Sequence, residues 1–171
     1  QLIDVTKSWN CSDVTYTTVR LEDFFADIKE QALGLVEIYH QKIDWKAEQS
    51  DKKVTIAYDP MFRAVMNMIQ NAVEHTKENG IIYIDAKEQD GRLTFIVEDS
   101  GSGFTKEALL HGTEQFFMDD TSRNGEAHYG MGLFFAKTVA EKYGGGIKLS
   151  NSENTGGARV EIFFLSSQET S

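Results

Sequence analysis

The run Asn67-Met68-Ile69-Gln70-Asn71-Ala72-Val73-Glu74-His75-Thr76 carries two asparagines four residues apart beside an apolar stripe. Upstream, Asp59-Pro60 supplies an N-cap side chain followed by a proline at the first helical position. From there Phe62, Val65, Met66, Ile69, Ala72 and Val73 recur at helical spacing, which predicts a helix ending near Asn79-Gly80. On that helix Asn67 and Asn71 share one face, with Glu74 and His75 on the next turn. Asparagine competes with the backbone and is a poor helix former, so two in register invite a reason. One reading is a solvated polar face. The other is a pair of amide oxygens suited to Mg²⁺, a hard cation that keeps waters and substrate phosphates.

Outward from this helix the elements alternate in type. Leu21 to about Tyr39 reads helical, with Phe24, Phe25, Ile28, Leu35 and Ile38 near the helical period. Ile43–Ala47 and Val54–Tyr58 alternate as half-buried strands. Ile81-Tyr83-Asp85 and Leu93-Phe95-Val97 predict a hairpin across Gln89-Asp90-Gly91. Residues 100–129 lack a sustained period and read as a long loop with one short helix, a length that in a compact domain points to function. Gly132 to Tyr143 reads helical with Leu133, Phe134, Ala136, Val139 and Ala140 inward, and Ile147-Leu149 and Val160-Ile162-Phe164 close the fold around Gly156-Gly157. The sum is an α+β two-layer sandwich: a mixed, largely antiparallel sheet covered on one face by about three helices.

Composition narrows the function classes. The 171 residues carry 17 Lys+Arg against 27 Asp+Glu, a formal charge of -10. So acidic a chain is unsuited to nucleic acid, which needs clustered cations, or to an anionic membrane surface. The lone Cys11 excludes an intramolecular disulfide framework, and no apolar run approaches the roughly 18 residues of a membrane span. The first residues lack the pattern of a signal peptide, and Gln1 in place of Met raises the expectation of a piece cut from a longer protein. All of the 14 glycines but Gly34 and Gly80 lie from Gly91 onward, so the second half holds the backbone that must turn sharply or approach something closely.

Common phosphate and metal motifs fail: there is no G-x-x-x-x-G-K-[ST], no complete dinucleotide fingerprint and no zinc spacing. Two other segments carry more. Glu98-Asp99-Ser100-Gly101-Ser102-Gly103-Phe104 leaves a predicted strand. It is either a plain Asp-Ser-Gly turn or a carboxylate placed to accept from an exocyclic amine, with bare backbone beside a flat ring. His128-Tyr129-Gly130-Met131-Gly132-Leu133 opens a helix. Its glycines either ease the helix entry or expose N–H groups and the positive dipole end to phosphate.

Taken in order, the paired asparagines, hairpin, D-x-G-x-G-F, long loop, G-x-G-L and strand pair resemble the ATP-binding catalytic domain of two-component sensor histidine kinases. These belong to the Bergerat-fold (GHKL) superfamily shared with gyrase, mismatch-repair and heat-shock chaperone ATPases. The resemblance covers about Val19 to Leu165. It implies that Asn71 coordinates the Mg²⁺ bridging the ATP phosphates, that Asn67 lines the same pocket, and that Asp99 accepts from the adenine amino group. It implies further that Gly101, Gly103 and Phe104 pass close to the ring, that Gly130, Met131, Gly132 and Leu133 meet the phosphates, and that residues 104–129 form the lid. Glu114-Gln115-Phe116-Phe117 resembles the lid's phenylalanine box, with Thr113 in place of its leading phenylalanine. Glu74, beside His75 in the pocket, stands where many members carry a Lys or Arg directed at phosphate. Lys77, Lys106 and Arg123 are the substitutes to consider, and Arg123 is favoured because it sits in the lid. His128-Tyr129 replaces the usual Gly-Thr, and Gly157-Ala158-Arg159 stands where a threonine near the adenine is common.

Hydrolysing relatives typically carry a Glu one turn before the Mg²⁺-binding Asn; here that position is Asn67, which suits transfer to an external nucleophile over hydrolysis. Asn67, Asn71 and Arg123 are the expected catalytic set. No histidine stands in the family's H-[E/D]-x-x-[T/N] acceptor setting. The expected organisation is residues 1–16 as a linker or the tail of a dimerisation helix region, 17–166 as the catalytic domain and 167–171 as a tail. The implied function is transfer of the γ-phosphoryl of Mg–ATP to a histidine on a dimerisation domain absent from this chain, for relay to a response-regulator aspartate. The implied parent is a homodimer anchored in the bacterial cell membrane with this domain in the cytoplasm. A non-catalytic nucleotide-binding adaptor and a superfamily ATPase are the alternatives.

Overall fold

The computed structural model describes residues 15–114 and 129–168. Strand β1 (Thr17–Arg20) leads directly into helix α1 (Leu21–Ile38). There follow β2 (Lys42–Ala47), β3 (Lys53–Ile56), α2 (Tyr58–Glu74), β4 (Ile81–Gln89), β5 (Arg92–Asp99) and the short α3 (Lys106–His111). Helix α4 (Tyr129–Lys142), β6 (Gly146–Asn151), β7 (Ala158–Leu165) and β8 (Ser167–Gln168) complete the order. The main sheet runs β2-β4-β5-β7-β6, antiparallel except that β2 lies parallel to β4. A second sheet, β1-β3-β8, gathers strands from both ends of the described chain.

The expected two layers are present. Ile82, Ile84 and Ala86 of β4, Leu93, Phe95 and Val97 of β5, and Val160, Ile162 and Phe164 of β7 bury one face of the sheet under α1, α2 and α4. An aromatic cluster joins the layers: the Phe95 ring lies 6.1 Å from Phe24 and 5.5 Å from Phe25, and Phe24 meets Tyr58 edge-on at 5.1 Å. Such pairs add about 0.5–1.5 kcal/mol each beyond their burial. Asp90 and Gly91 both take positive φ in the β4–β5 turn, the geometry a two-residue hairpin asks for.

Three local expectations need correction. In α1 the buried set is Leu21, Phe24, Phe25, Ile28, Ala32 and Val36, while Ile38 is 73% exposed. In α4 it is Phe135 that is buried and Phe134 that is only half-buried, so the inward stripe is displaced by one residue there. Helix α2 starts two residues earlier and stops five residues sooner than its signals suggested. Ala57 is the N-cap and makes no side-chain capping bond, so Asp59 lies inside the first turn, where its charge still complements the helix dipole. At the far end His75 is the C-cap. The buried Gln41 donates from Nε2 to the carbonyls of Val73 (2.9 Å) and Thr76 (2.7 Å), satisfying groups that a helix end leaves open. The left-handed Asn79 belongs to the turn beyond, its N–H donating to His40 O at 2.8 Å.

Candidate functional site

Strand β5 ends in Asp99, whose side chain is 3% exposed on the helix-covered side of the sheet. Its Oδ1 accepts from the backbone N–H of Gly101 (2.9 Å) and of Ala158 (3.0 Å). Among the described residues no protein group donates to Oδ2. Burial pushes the carboxyl above the ordinary aspartate range, and the two N–H bonds pull only partly against it. One oxygen is thus used to fix the carboxylate, and the other is left to accept from a ligand.

Helix α2 brings its last turns against this strand end. The backbone N–H of His75 donates to Asn71 O at 3.2 Å, and the His75 carbonyl faces Gly101 so closely that a Cβ there would lie 2.6 Å from it. Gly101 is therefore the contact between the helix and the loop leaving β5. One turn back, Asn71 is 4% exposed, with its Oδ1 buried and unpaired among the described residues. An unpaired buried amide oxygen costs about 1–3 kcal/mol, which a ligand or ion can recover. Asn67, a further turn back, is half-buried beside α4: its carbonyl oxygen is the nearest atom, at 3.9 Å, to where a Cβ on Gly132 would sit. The large apolar side chains Val65, Met68, Ile69 and Val73 of α2 are fully buried. At about 1.5–3 kcal/mol each, they hold the helix that positions both asparagines.

Gly103 takes φ +85°, and a Cβ on it would meet Gly156 O at 2.8 Å and Asn151 Oδ1 at 2.9 Å. The next residue, Phe104, is buried, and its backbone is gripped at both ends by Asn151. Phe104 N–H donates to Oδ1 at 2.7 Å, and Nδ2 donates to Phe104 O at 3.1 Å. Gly130, Met131, Gly132 and Leu133 lie in the first turns of α4, and Leu133 is fully buried. Glu74 closes α2 and accepts from Gln70 Nε2 at 3.0 Å. Arg123 and the Gln115-Phe116-Phe117 part of the phenylalanine box lie outside the described residues. Asn67, Asn71, His75, Asp99, Gly101 and Gly132 thus line one seam between α2, the end of β5 and the start of α4. Lys77 and Lys106 are exposed.

Sequence reasoning missed the wall opposite α2. The β6–β7 turn supplies Thr155, whose Oγ1 donates to the carbonyl of Asp99 at 2.7 Å, and Gly157, where a Cβ would lie 2.1 Å from that same carbonyl oxygen. A threonine does reach this strand end, two residues before Gly157. The adjacent Ser152 is buried and donates to Glu98 Oε2 at 3.1 Å, and Arg159 holds Glu98 Oε1 at 3.0 Å. The Gly156-Gly157 turn signal was visible, but its target across the sheet was not.

Chemically, the seam offers one buried carboxylate acceptor, Asp99 Oδ2, at one end and a neutral amide oxygen, Asn71 Oδ1, at the other. Among the described residues no group of three or more His, Cys, Asp or Glu is arranged to hold a metal ion. A Mg²⁺ ion fits this site with Asn71 Oδ1 as one ligand only if an anionic ligand and waters complete the octahedron.

Residues 57–168 match the sequence profile of the histidine kinase-, DNA gyrase B- and HSP90-like ATPases. The chain is 38% identical over 120 residues to the sensor histidine kinase SpaK of Bacillus subtilis, an alignment covering 70% of this chain and 26% of that protein. It is 32% identical over 162 residues to the nisin biosynthesis sensor protein NisK of Lactococcus lactis subsp. lactis, covering 93% of this chain and 35% of that one. The chain therefore spans about a quarter to a third of the length of these relatives. In fold it is similar to the catalytic domain of histidine kinase ThkA (TM-score 0.74, 20% identity, 91% of this chain and 99% of that one). It is also similar to full-length ShkA in complex with AMPPNP (TM-score 0.77, 18% identity, 99% of this chain and 37% of that one). On the profile match across more than half its length, the chain belongs to the histidine kinase-, DNA gyrase B- and HSP90-like ATPase family.

Proposed function

We propose that this chain is the catalytic module of a sensor histidine kinase that binds Mg–ATP and transfers its γ-phosphoryl group to a histidine on a dimerisation domain elsewhere in a longer protein. The observation that carries the reading is the asymmetry of Asp99: Oδ1 accepts from Gly101 and Ala158, and among the described residues nothing donates to Oδ2, which leaves it to accept from a ligand. An adenine amino group is the donor it suits, with the ring over the Gly101–Gly103 backbone. The phosphates then run back along α2 toward Asn71 and Asn67 and the first turn of α4, whose N–H groups favour anions. Mg²⁺, held by Asn71 Oδ1 and the phosphates, would neutralise charge on the transferred group.

Asn67 occupies the place one turn before Asn71, and an amide is no base for water. The site therefore favours an external nucleophile, an imidazole nitrogen attacking the γ-phosphorus as the bond to the bridging oxygen breaks and ADP leaves. The same reading makes the parent a dimer anchored in the membrane, with this domain on the cytoplasmic side and a response-regulator aspartate as the final acceptor. No helix among the described residues is long and apolar enough to cross a membrane.

The test is to join the chain to its parent's dimerisation segment and incubate it with γ-labelled ATP. Acid-labile, base-stable label on a histidine is the expected result. Tight nucleotide binding with no label would point to a nucleotide-sensing adaptor, and steady Mg-dependent phosphate release by this chain alone would point to an ATPase.

A further inference from the structure

We infer that Arg63 is the cation that meets the terminal phosphate of the bound nucleotide, an inference that rests on the nucleotide reading of the α2 seam. Arg63 precedes Asn67 and Asn71 by one and two helical turns, so the three lie in one row on α2. At 1.5 Å per residue, Arg63 stands about 12 Å along the axis from Asn71, on the side away from Asp99. A nucleotide laid from Asp99 past Asn71 points its last phosphate in that direction.

Two further observations set Arg63 apart from an ordinary surface arginine. Its guanidinium lies 5.1 Å from the centre of the Phe135 ring, a buried side chain of α4 one turn beyond Gly132. This is within cation–π range and holds the group against the helix whose first turn faces the phosphates. Among the described residues Arg63 has no carboxylate partner, in a chain with 27 acidic side chains. Arg20 and Arg159, by contrast, are each paired with glutamate. Arg92 also stacks on a ring, that of Phe163, but on the opposite, open face of the sheet. Stacking fixes the plane of a guanidinium while leaving its edge N–H groups to donate, the geometry that phosphate oxygens accept. In a chain of charge -10 a triphosphate needs such local compensation.

The experiment is titration calorimetry of the whole chain with ATP, ADP and adenosine in the presence of Mg²⁺. It compares wild type, Arg63→Met, which keeps an apolar stem on Phe135, and Arg63→Lys. Arg63→Met is expected to weaken ATP about tenfold, ADP by less, and adenosine not at all, with Arg63→Lys recovering part of the ATP loss. An unchanged ATP affinity in Arg63→Met, or an equal loss for ATP and adenosine, overturns the inference while leaving the Asp99 site standing. A wild-type chain that binds none of the three sinks both.

Discussion

Gly157→Ala is the substitution that most directly probes how the adenine end is built. An added Cβ would lie 2.1 Å from the Asp99 carbonyl oxygen, 2.5 Å from its Oδ1 and 2.7 Å from its carbonyl carbon. Two of these are backbone atoms of a central strand, so the β6–β7 turn must draw back from β5. Overpacking of this kind costs about 1–3 kcal/mol. Withdrawal also lengthens the Ala158 N–H bond to Oδ1, now 3.0 Å, and the Thr155 hydroxyl bond to the Asp99 carbonyl, now 2.7 Å. The neutral bond is worth about 1 kcal/mol and the charged one about 1.5–3. Allowing for incomplete loss, the variant should be destabilised by roughly 2–5 kcal/mol, a large share of the 5–15 usual for a domain. Urea unfolding followed by circular dichroism reads that cost, and calorimetry with ATP should show weaker binding because Oδ2 is no longer aimed. A Gly157→Ala chain with the wild-type midpoint and wild-type affinity would refute the idea that this turn sets the carboxylate.

Gly34 makes the opposite case. It lies inside α1 with open space around it, so Gly34→Ala should raise the urea midpoint by an amount equivalent to about 0.5–1 kcal/mol and leave ATP affinity alone. Acidification should weaken adenosine binding as pH falls through the raised value of Asp99, above the usual 3.8. Because Oδ1 already accepts two N–H bonds, the proton goes to Oδ2 and turns the acceptor into a donor. For stability the sign is reversed: a carboxyl raised by burial favours the fold while protonated, and that contribution is lost as pH rises through the folded value. Wild type should accordingly gain stability relative to Asp99→Asn on acidification.

What could be read from the chain follows from the range of each interaction. The hairpin and the helix that carries Asn67 and Asn71 were legible because a turn dipeptide and helical spacing encode them locally. The end of α2 was not, because Gln41, 32 residues before Val73, takes the carbonyls that stop the helix at His75, whereas Asn79-Gly80 only shapes the turn beyond. Phe134 and Phe135 are equally apolar, and only the packing of α4 against α2, with Arg63 over Phe135, decides which is inward. Thr155 donates to a backbone carbonyl 56 residues away, and the β1-β3-β8 sheet pairs strands from distant parts of the chain. Neither leaves a period or a motif.

The central claim is that Asp99 Oδ2 receives an adenine amino group, and Asp99→Asn tests it with almost no change of shape. The amide oxygen can still accept from Gly101 and Ala158, which places Nδ2, a donor, where Oδ2 accepted. Removing a buried charge should not lower the melting temperature. ATP affinity measured by calorimetry should fall at least about tenfold, as expected when two donors face each other at a buried position. An Asp99→Asn chain that binds ATP as tightly as wild type would contradict the account.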